Sequence, residues 1–171
     1  APEVIANMEK AGKGIAIAGF GPLVERLEMN MTNPSSSLDA DTRSTVKAPH
    51  PFLTDINVRK ALSLAIDRPL LVEIGYGKAG KVTCDLVPAP DLYSAKNDFC
   101  MKQDIVGANE ILDKAGWKKG SDGIRAKDGV KLSILYQTST NAVRQDFQAL
   151  IKEWWQQIGV ETELRNLNAS V

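Results

Sequence analysis

Proton transfer near neutral pH usually calls on histidine, and this chain has one, His50, inside Ala48-Pro49-His50-Pro51. A Ser/His/Asp or Cys/His set has only that residue to use, and its Pro-flanked loop suits a structural or incidental role better than a catalytic one. The aspartates and glutamates are scattered over polar faces, where solvation accounts for them, and no pair stands out as an acid and a base. Gly75-Tyr76-Gly77-Lys78-Ala79-Gly80-Lys81 resembles a phosphate loop only superficially. It lacks GxxxxGK[ST] and follows a helical pattern rather than a strand, so it reads as a turn. Metal binding is not expected, since no CxxC occurs and only one histidine is present. No cofactor is implied.

Cys84 and Cys100 have fifteen residues between them in a loop-like stretch. They are either a disulfide or two unrelated thiols. A disulfide would stabilise by about 3 kcal/mol on the chain-entropy account and would fit an oxidising compartment such as a periplasm. Trp154-Trp155 can form a stacking platform, but at helical spacing the expectation is Trp154 in the core and Trp155 at its edge. Tyr136-Gln137-Thr138-Ser139-Thr140-Asn141 has a different character. It runs from the end of a strand into a helix N-terminus, where unpaired N–H groups favour anionic or carbonyl groups of a ligand. Ligands of open α/β sheets lie just beyond strand carboxyl ends. Thr140 or Asn141 can equally cap its own helix, and the two roles are compatible.

The elements that must position these groups can be read from periodicity. Val4, Ile5, Met8 and Ala11 mark a short opening helix. Ile15–Ala18 reads as a short strand, and Leu23–Met31 alternates like a second one. Residues 32–53 read as an exposed loop or linker. Val58, Ala61, Leu62, Ala65 and Ile66 define a strong helix behind Thr54 as N-cap, and Asp67 with Pro69 opens another. Residues 78–103 form a long extended excursion, of the kind that is functional or disordered in compact domains. A helix over Ile105–Ala115 ends at Gly116. A short strand at Ile124–Ala126 precedes a longer one from Val130 to Tyr136. A long helix carrying Val143, Phe147, Leu150, Ile151, Trp154 and Ile158 ends at Gly159, and a last strand covers Val160–Leu164. Strands interleaved with helices indicate an α/β layer structure.

Composition sets the outer limits. The chain has 171 residues, 43% hydrophobic and 25% charged, which suits one ordinary domain with a real core. Lys+Arg 21 against Asp+Glu 21 leaves no basic excess for a phosphate backbone, so nucleic acid is not an expected partner. No apolar run approaches the roughly 20 residues that span a bilayer. No charged-then-apolar leader opens the sequence, so any export signal is expected to have been removed or to lie outside it, and the domain is expected to be soluble.

A resemblance joins these pieces. Asp55-Ile56-Asn57-Val58-Arg59-Lys60-Ala61-Leu62-Ser63-Leu64-Ala65-Ile66-Asp67-Arg68 is similar to the D-x-x-V-R-x-A-[IL]-x-x-A-I-D-R segment of the peptide/nickel/oligosaccharide-binding family of ABC importer proteins. Leu27–Pro34, the Ala108 to Trp117 helix and the Gln148 to Val160 stretch resemble further family segments in the same order. The resemblance implies a mixed sheet flanked by helices, forming one lobe of a two-lobed periplasmic binding protein. Residues 1–171 would be a fragment of the second, C-terminal lobe, with the first lobe missing. It also implies ligand capture without chemical transformation, peptides or peptide-like solutes as ligands, delivery to ABC permease subunits, and a periplasmic or lipoprotein-tethered location. In this lobe the ligand would meet Tyr136 to Asn141, with Arg144 placed to pair with a peptide carboxylate. A sensor module reusing the binding fold, or a hydrolase domain, is the alternative reading.

Overall fold

The strongest helical pattern begins one residue later than Thr54 suggests. Asp55 is the N-cap of α2 (Ile56–Leu64), its carboxylate accepting the Asn57 N–H at 2.8 Å, while the Thr54 hydroxyl turns back to the His50 carbonyl. An ionised oxygen aimed at the first turn satisfies an orphan donor and suits the helix dipole, so aspartate takes the position. In this computed structural model residues 2–168 and Ser170 are described. Ala1, Ala169 and Val171 of the expected 1–171 span lie outside the described residues. The chain divides into two compact units, Leu27–Ala65 with Asp104–Val171, and Ala1–Arg26 with Ile66–Gln103.

In the first of these units α2 packs on α4 (Ile105–Lys114), which Asp104 caps through the Gly107 N–H. Val58, Ala61 and Leu62 on α2 and Ala108 and Leu112 on α4 are buried in this core. Burial of a leucine of this kind contributes roughly 1.5–3 kcal/mol. Gly116 follows at φ +85°, the left-handed backbone that lets a helix stop. Three short antiparallel strands come next, β1 (Lys118–Lys119), β2 (Arg125–Lys127) and β3 (Val130–Lys131). β4 (Ser133–Ser139), α5 (Ala142–Gln157) and β5 (Glu161–Leu167) then form a strand-helix-strand unit whose strands pair in parallel. The expected α/β architecture is present, with its parallel and antiparallel pairings divided between two small sheets. Phe147, Ile151, Trp154 and Trp155 face inward from α5, and the Trp155 indole N–H donates to the Leu62 carbonyl at 3.0 Å. Trp155 is thus fully in the core rather than at its edge, because that carbonyl gives its one polar atom a partner.

Buried Arg125 ties this unit together. Its guanidinium donates to the Ile158 carbonyl at 2.9 Å, to Asp113 Oδ1 at 2.6 Å, to Asn109 Oδ1 at 2.8 Å and to the Trp117 carbonyl. The arginine holds Asp113 below the usual carboxylate range, chiefly through that hydrogen bond. Gly159, at φ +81°, passes so close that an added Cβ would lie 2.7 Å from Arg125 Cγ. The 32–53 segment is not wholly the exposed loop expected. Asn33 and Ser44 N–H groups bond to Ala48 and Asn33 carbonyls, and Ala48, Phe52 and Leu53 are buried.

The second unit contains α1 (Pro2–Lys10) and α3 (Arg68–Gly75), the latter capped by Asp67 on the Leu70 N–H with proline in its first turn. Ile15–Ala18 is not a strand, nor is Leu23–Met31 in its stretch of the chain. A strand needs a ladder of partners, and among the described residues Ile15–Ala18 has none. Leu23–Met31 has at its end only the Met31 carbonyl on the His50 N–H, beside the lone Thr32–Pro49 bridge, so alternation alone could not make them strands. The 78–103 excursion holds only one complete short 3-10 turn, Asp91–Tyr93, but is closely tied. Cys84 and Cys100 are joined, with Cα atoms 5.7 Å apart. Next to them, Asp85 accepts from Ser94 Oγ at 2.6 Å, Asn97 Nδ2 at 2.7 Å and the Lys96 and Asn97 N–H groups, both at 3.0 Å. These donors, the Ser94 hydroxyl first, hold the Asp85 carboxyl below its ordinary range. No helix among the described residues is long and apolar enough to cross a membrane.

Candidate functional site

The junction singled out in the sequence falls where β4 gives way to α5. Tyr136, Gln137, Thr138 and Ser139 are the last four residues of β4, Thr140 is the bend, and Asn141 is the N-cap. Asn141 settles the choice of cap: its Oδ1 accepts the Arg144 N–H at 3.2 Å. Thr140 contributes its carbonyl instead, which takes the Gln145 side-chain amide at 2.9 Å. The Ser139 hydroxyl accepts the Asn141 N–H at 3.4 Å. The turn is therefore built by its own polar side chains. The N–H groups of Ala142 and Val143, in the first helical turn, precede any intrahelical partner.

The pleat divides the candidate residues. Successive strand side chains alternate, so Tyr136 and Thr138 lie on one face and Gln137 and Ser139 on the other. The Tyr136 ring lies 5.9 Å from that of Trp155, tilted 43°, which gives it a packing role against α5. Thr138 and Ser139 are half-buried, whereas Gln137, Thr140, Asn141 and Arg144 are exposed. The structure thus brings four polar, accessible side chains to one strand end and helix start, and draws Tyr136 away into packing.

Sequence reasoning missed the residues that hold this junction in place. Gln148 is fully buried, and its amide N–H groups donate to the Tyr136 carbonyl at 2.8 Å and the Arg165 carbonyl at 3.4 Å. Its oxygen accepts from Asn166 Nδ2 at 2.7 Å, and Asn166 also donates to the Ser139 carbonyl at 3.2 Å. A glutamine lying between Phe147 and Ile151 on the inward arc of α5 was the available signal, because a buried amide must satisfy donors and acceptor alike. This network clamps the ends of both strands to the helix. Such a platform can present N–H groups, hydroxyl and amide side chains and one guanidinium to a polar or anionic ligand. Among the described residues no group of three or more His, Cys, Asp or Glu is placed to hold a metal ion.

Comparison with known proteins extends this picture. The family model described as bacterial extracellular solute-binding proteins, family 5 Middle, matches residues 2–171. Protein XP55 of Streptomyces lividans is 35% identical over 111 residues, covering 64% of this chain and 20% of that protein. The oligopeptide-binding protein AppA of Bacillus subtilis, solved with a nonapeptide, superposes with a TM-score of 0.64 at 30% identity, covering 71% of this chain and 25% of that one. NikZ of Campylobacter jejuni, solved with Ni(L-His), gives a TM-score of 0.63 at 27% identity over 70% of this chain and 24% of its own. The matches span about a fifth to a quarter of the length of these proteins.

Proposed function

The chain belongs to the bacterial extracellular solute-binding proteins of family 5, and from that premise we propose that it forms part of the second lobe of a receptor that captures peptides or peptide-like solutes for an ABC importer. The β4–α5 junction meets the ligand, with Gln137, Thr140 and Asn141 offering hydrogen bonds and Arg144 pairing with a carboxylate. A first lobe closes over the opposite side of the ligand, and the loaded receptor delivers it unaltered to permease subunits from the periplasm or from a lipid tether. The observation that carries this reading is the exposed polar cluster at the strand end and helix start, held by the buried Gln148 amide. Preorganised donors lose little freedom when a ligand arrives, which favours binding. Nonapeptide and nickel–histidine, found in AppA and NikZ, set the ligand classes to try first.

A thermal-shift titration of the full-length protein against dipeptides, nonapeptides and nickel–histidine tests the proposal. A ligand at about 100 times its dissociation constant should add roughly 2.7 kcal/mol of stability. Arg144→Ala should then weaken a peptide with a free carboxylate about tenfold or more and leave its amidated counterpart nearly unchanged. Equal weakening of both peptides removes Arg144 from the site. No stabilisation by any ligand, or recovery of a chemically altered one, removes the receptor reading.

A further inference from the structure

The single histidine serves as a hydrogen-bond acceptor. His50 Nδ1 receives the backbone N–H groups of Phe52 at 3.3 Å and Leu53 at 3.1 Å. Asn and Asp side chains receive the amides two and three residues ahead in the same way at turns and helix caps. An imidazole nitrogen accepts only while unprotonated, so this geometry requires the neutral ring with its proton on Nε2. Phe52 and Leu53 are buried, which leaves their N–H groups little access to water as a substitute. The Phe52 ring meets the imidazole edge-on at 4.5 Å. The backbone of His50 is pinned as well, its N–H on the Met31 carbonyl at 2.8 Å and its carbonyl under the Thr54 hydroxyl at 3.1 Å.

We propose that His50 is an acid-released staple: protonation of Nδ1 expels the Phe52 and Leu53 amides and frees the end of the 32–53 loop from the start of α2. Charged groups near this turn include Arg59, Asp55 and Lys127. Arg59 on α2 donates to the Leu53 carbonyl at 2.7 Å. Asp55 is occupied by the Asn57 N–H and the Trp117 indole, and Lys127 on β2 lies over the Trp117 ring. None of the three bonds to the imidazole, Asp55 being taken by other donors, and desolvation is what acts on the ring. Burial accordingly holds His50 below the ordinary histidine value, which is about 6.5. The released form then binds the proton more readily than the stapled one. As pH falls from about 6.5 toward the folded value, release gains up to about tenfold per pH unit, and below the folded value the gain stops.

An NMR titration of the intact chain tests this, following the His50 ring nitrogens and the exchange of the Phe52 and Leu53 amides. At about pH 8 the ring should show an unprotonated Nδ1 and both amides should exchange slowly; through the ring titration both should lose protection together. His50→Asn supplies an acceptor oxygen that does not titrate, so it should keep that protection at about pH 5. Amides that stay protected while the ring takes its proton overturn the proposal. So does an H50N chain that is protected at about pH 8 and loses protection with acid as the native chain does.

Discussion

The two units of this chain are closed by different chemistry. In Leu27–Ala65 with Asp104–Val171 the interior is a contiguous set of apolar side chains, from Val58, Ala61 and Leu62 through Leu112 and Trp117 to Ile151, Trp155 and Val160. In Ala1–Arg26 with Ile66–Gln103 the buried apolar residues among those described are few, Ile66 and Cys100. That unit relies instead on the Cys84–Cys100 bond, the four donors on Asp85 and the Asp67 cap. Apolar burial is collective and non-directional, so its loss is felt across a whole unit. A disulfide or a carboxylate tie is local and directional, and its loss opens the segment it closes. Residues 78–103, which look like unstructured chain by pattern, are thus tied without an apolar core of their own.

The largest effect belongs to Arg125. Arg125→Met keeps the apolar volume but leaves the Ile158 and Trp117 carbonyls and Asn109 without their donor. Denaturant unfolding should show a loss of about 3–5 kcal/mol. A loss below about 1 kcal/mol would overturn the hub role of Arg125 and would show that the apolar interior alone suffices, as the contrast between the units has it. Next comes the covalent tie. Replacing Cys84 and Cys100 with serine should cost about 3 kcal/mol for a loop of this size, seen as faster amide exchange within residues 84–100. Reductant should raise the mass of the native chain by two hydrogen atoms, and free thiols before reduction would remove the covalent half of the contrast. Asp85→Asn should have the smallest and most local effect, speeding exchange of the Lys96 and Asn97 amides. Because the Asp85 carboxyl lies below its ordinary value, its contribution is complete above about pH 4 and disappears as pH falls through the folded value. Unchanged exchange in D85N would leave the disulfide as the only tie needed.

What could be read from the sequence divides along the same line. Helices α2, α4 and α5 were legible because an apolar stripe at 3.6-residue spacing and the glycines at 116 and 159 are local signals. Strand identity is not local: Leu23–Met31 alternates as well as β5 does, but among the described residues it meets a single bridge at its end, whereas β5 pairs with β4 from Glu161 to Leu167. Polar hubs were the least legible. Arg125 occupies a three-residue strand with no pattern of its own, and Asp85 is one acidic residue among many until Ser94 and Asn97 fold back upon it. At the candidate site the strand-to-helix junction and its polar residues were readable. The pleat that turns Tyr136 toward Trp155 and the buried Gln148 clamp were not, since both depend on which face meets α5.

The parallel pairing of β4 with β5 has a consequence for the order of folding. Every pair from Ser133 with Glu161 to Ser139 with Leu167 joins residues separated by the same twenty-eight positions. The entropy of closing that loop is therefore incurred once, at the first pair formed, and each later pair adds contacts without a new closure. Formation of α5 within the loop brings the strand ends together and shortens the search. The ladder should then zip in one cooperative step, and the polar junction at its carboxyl end should appear only when that zipper is complete.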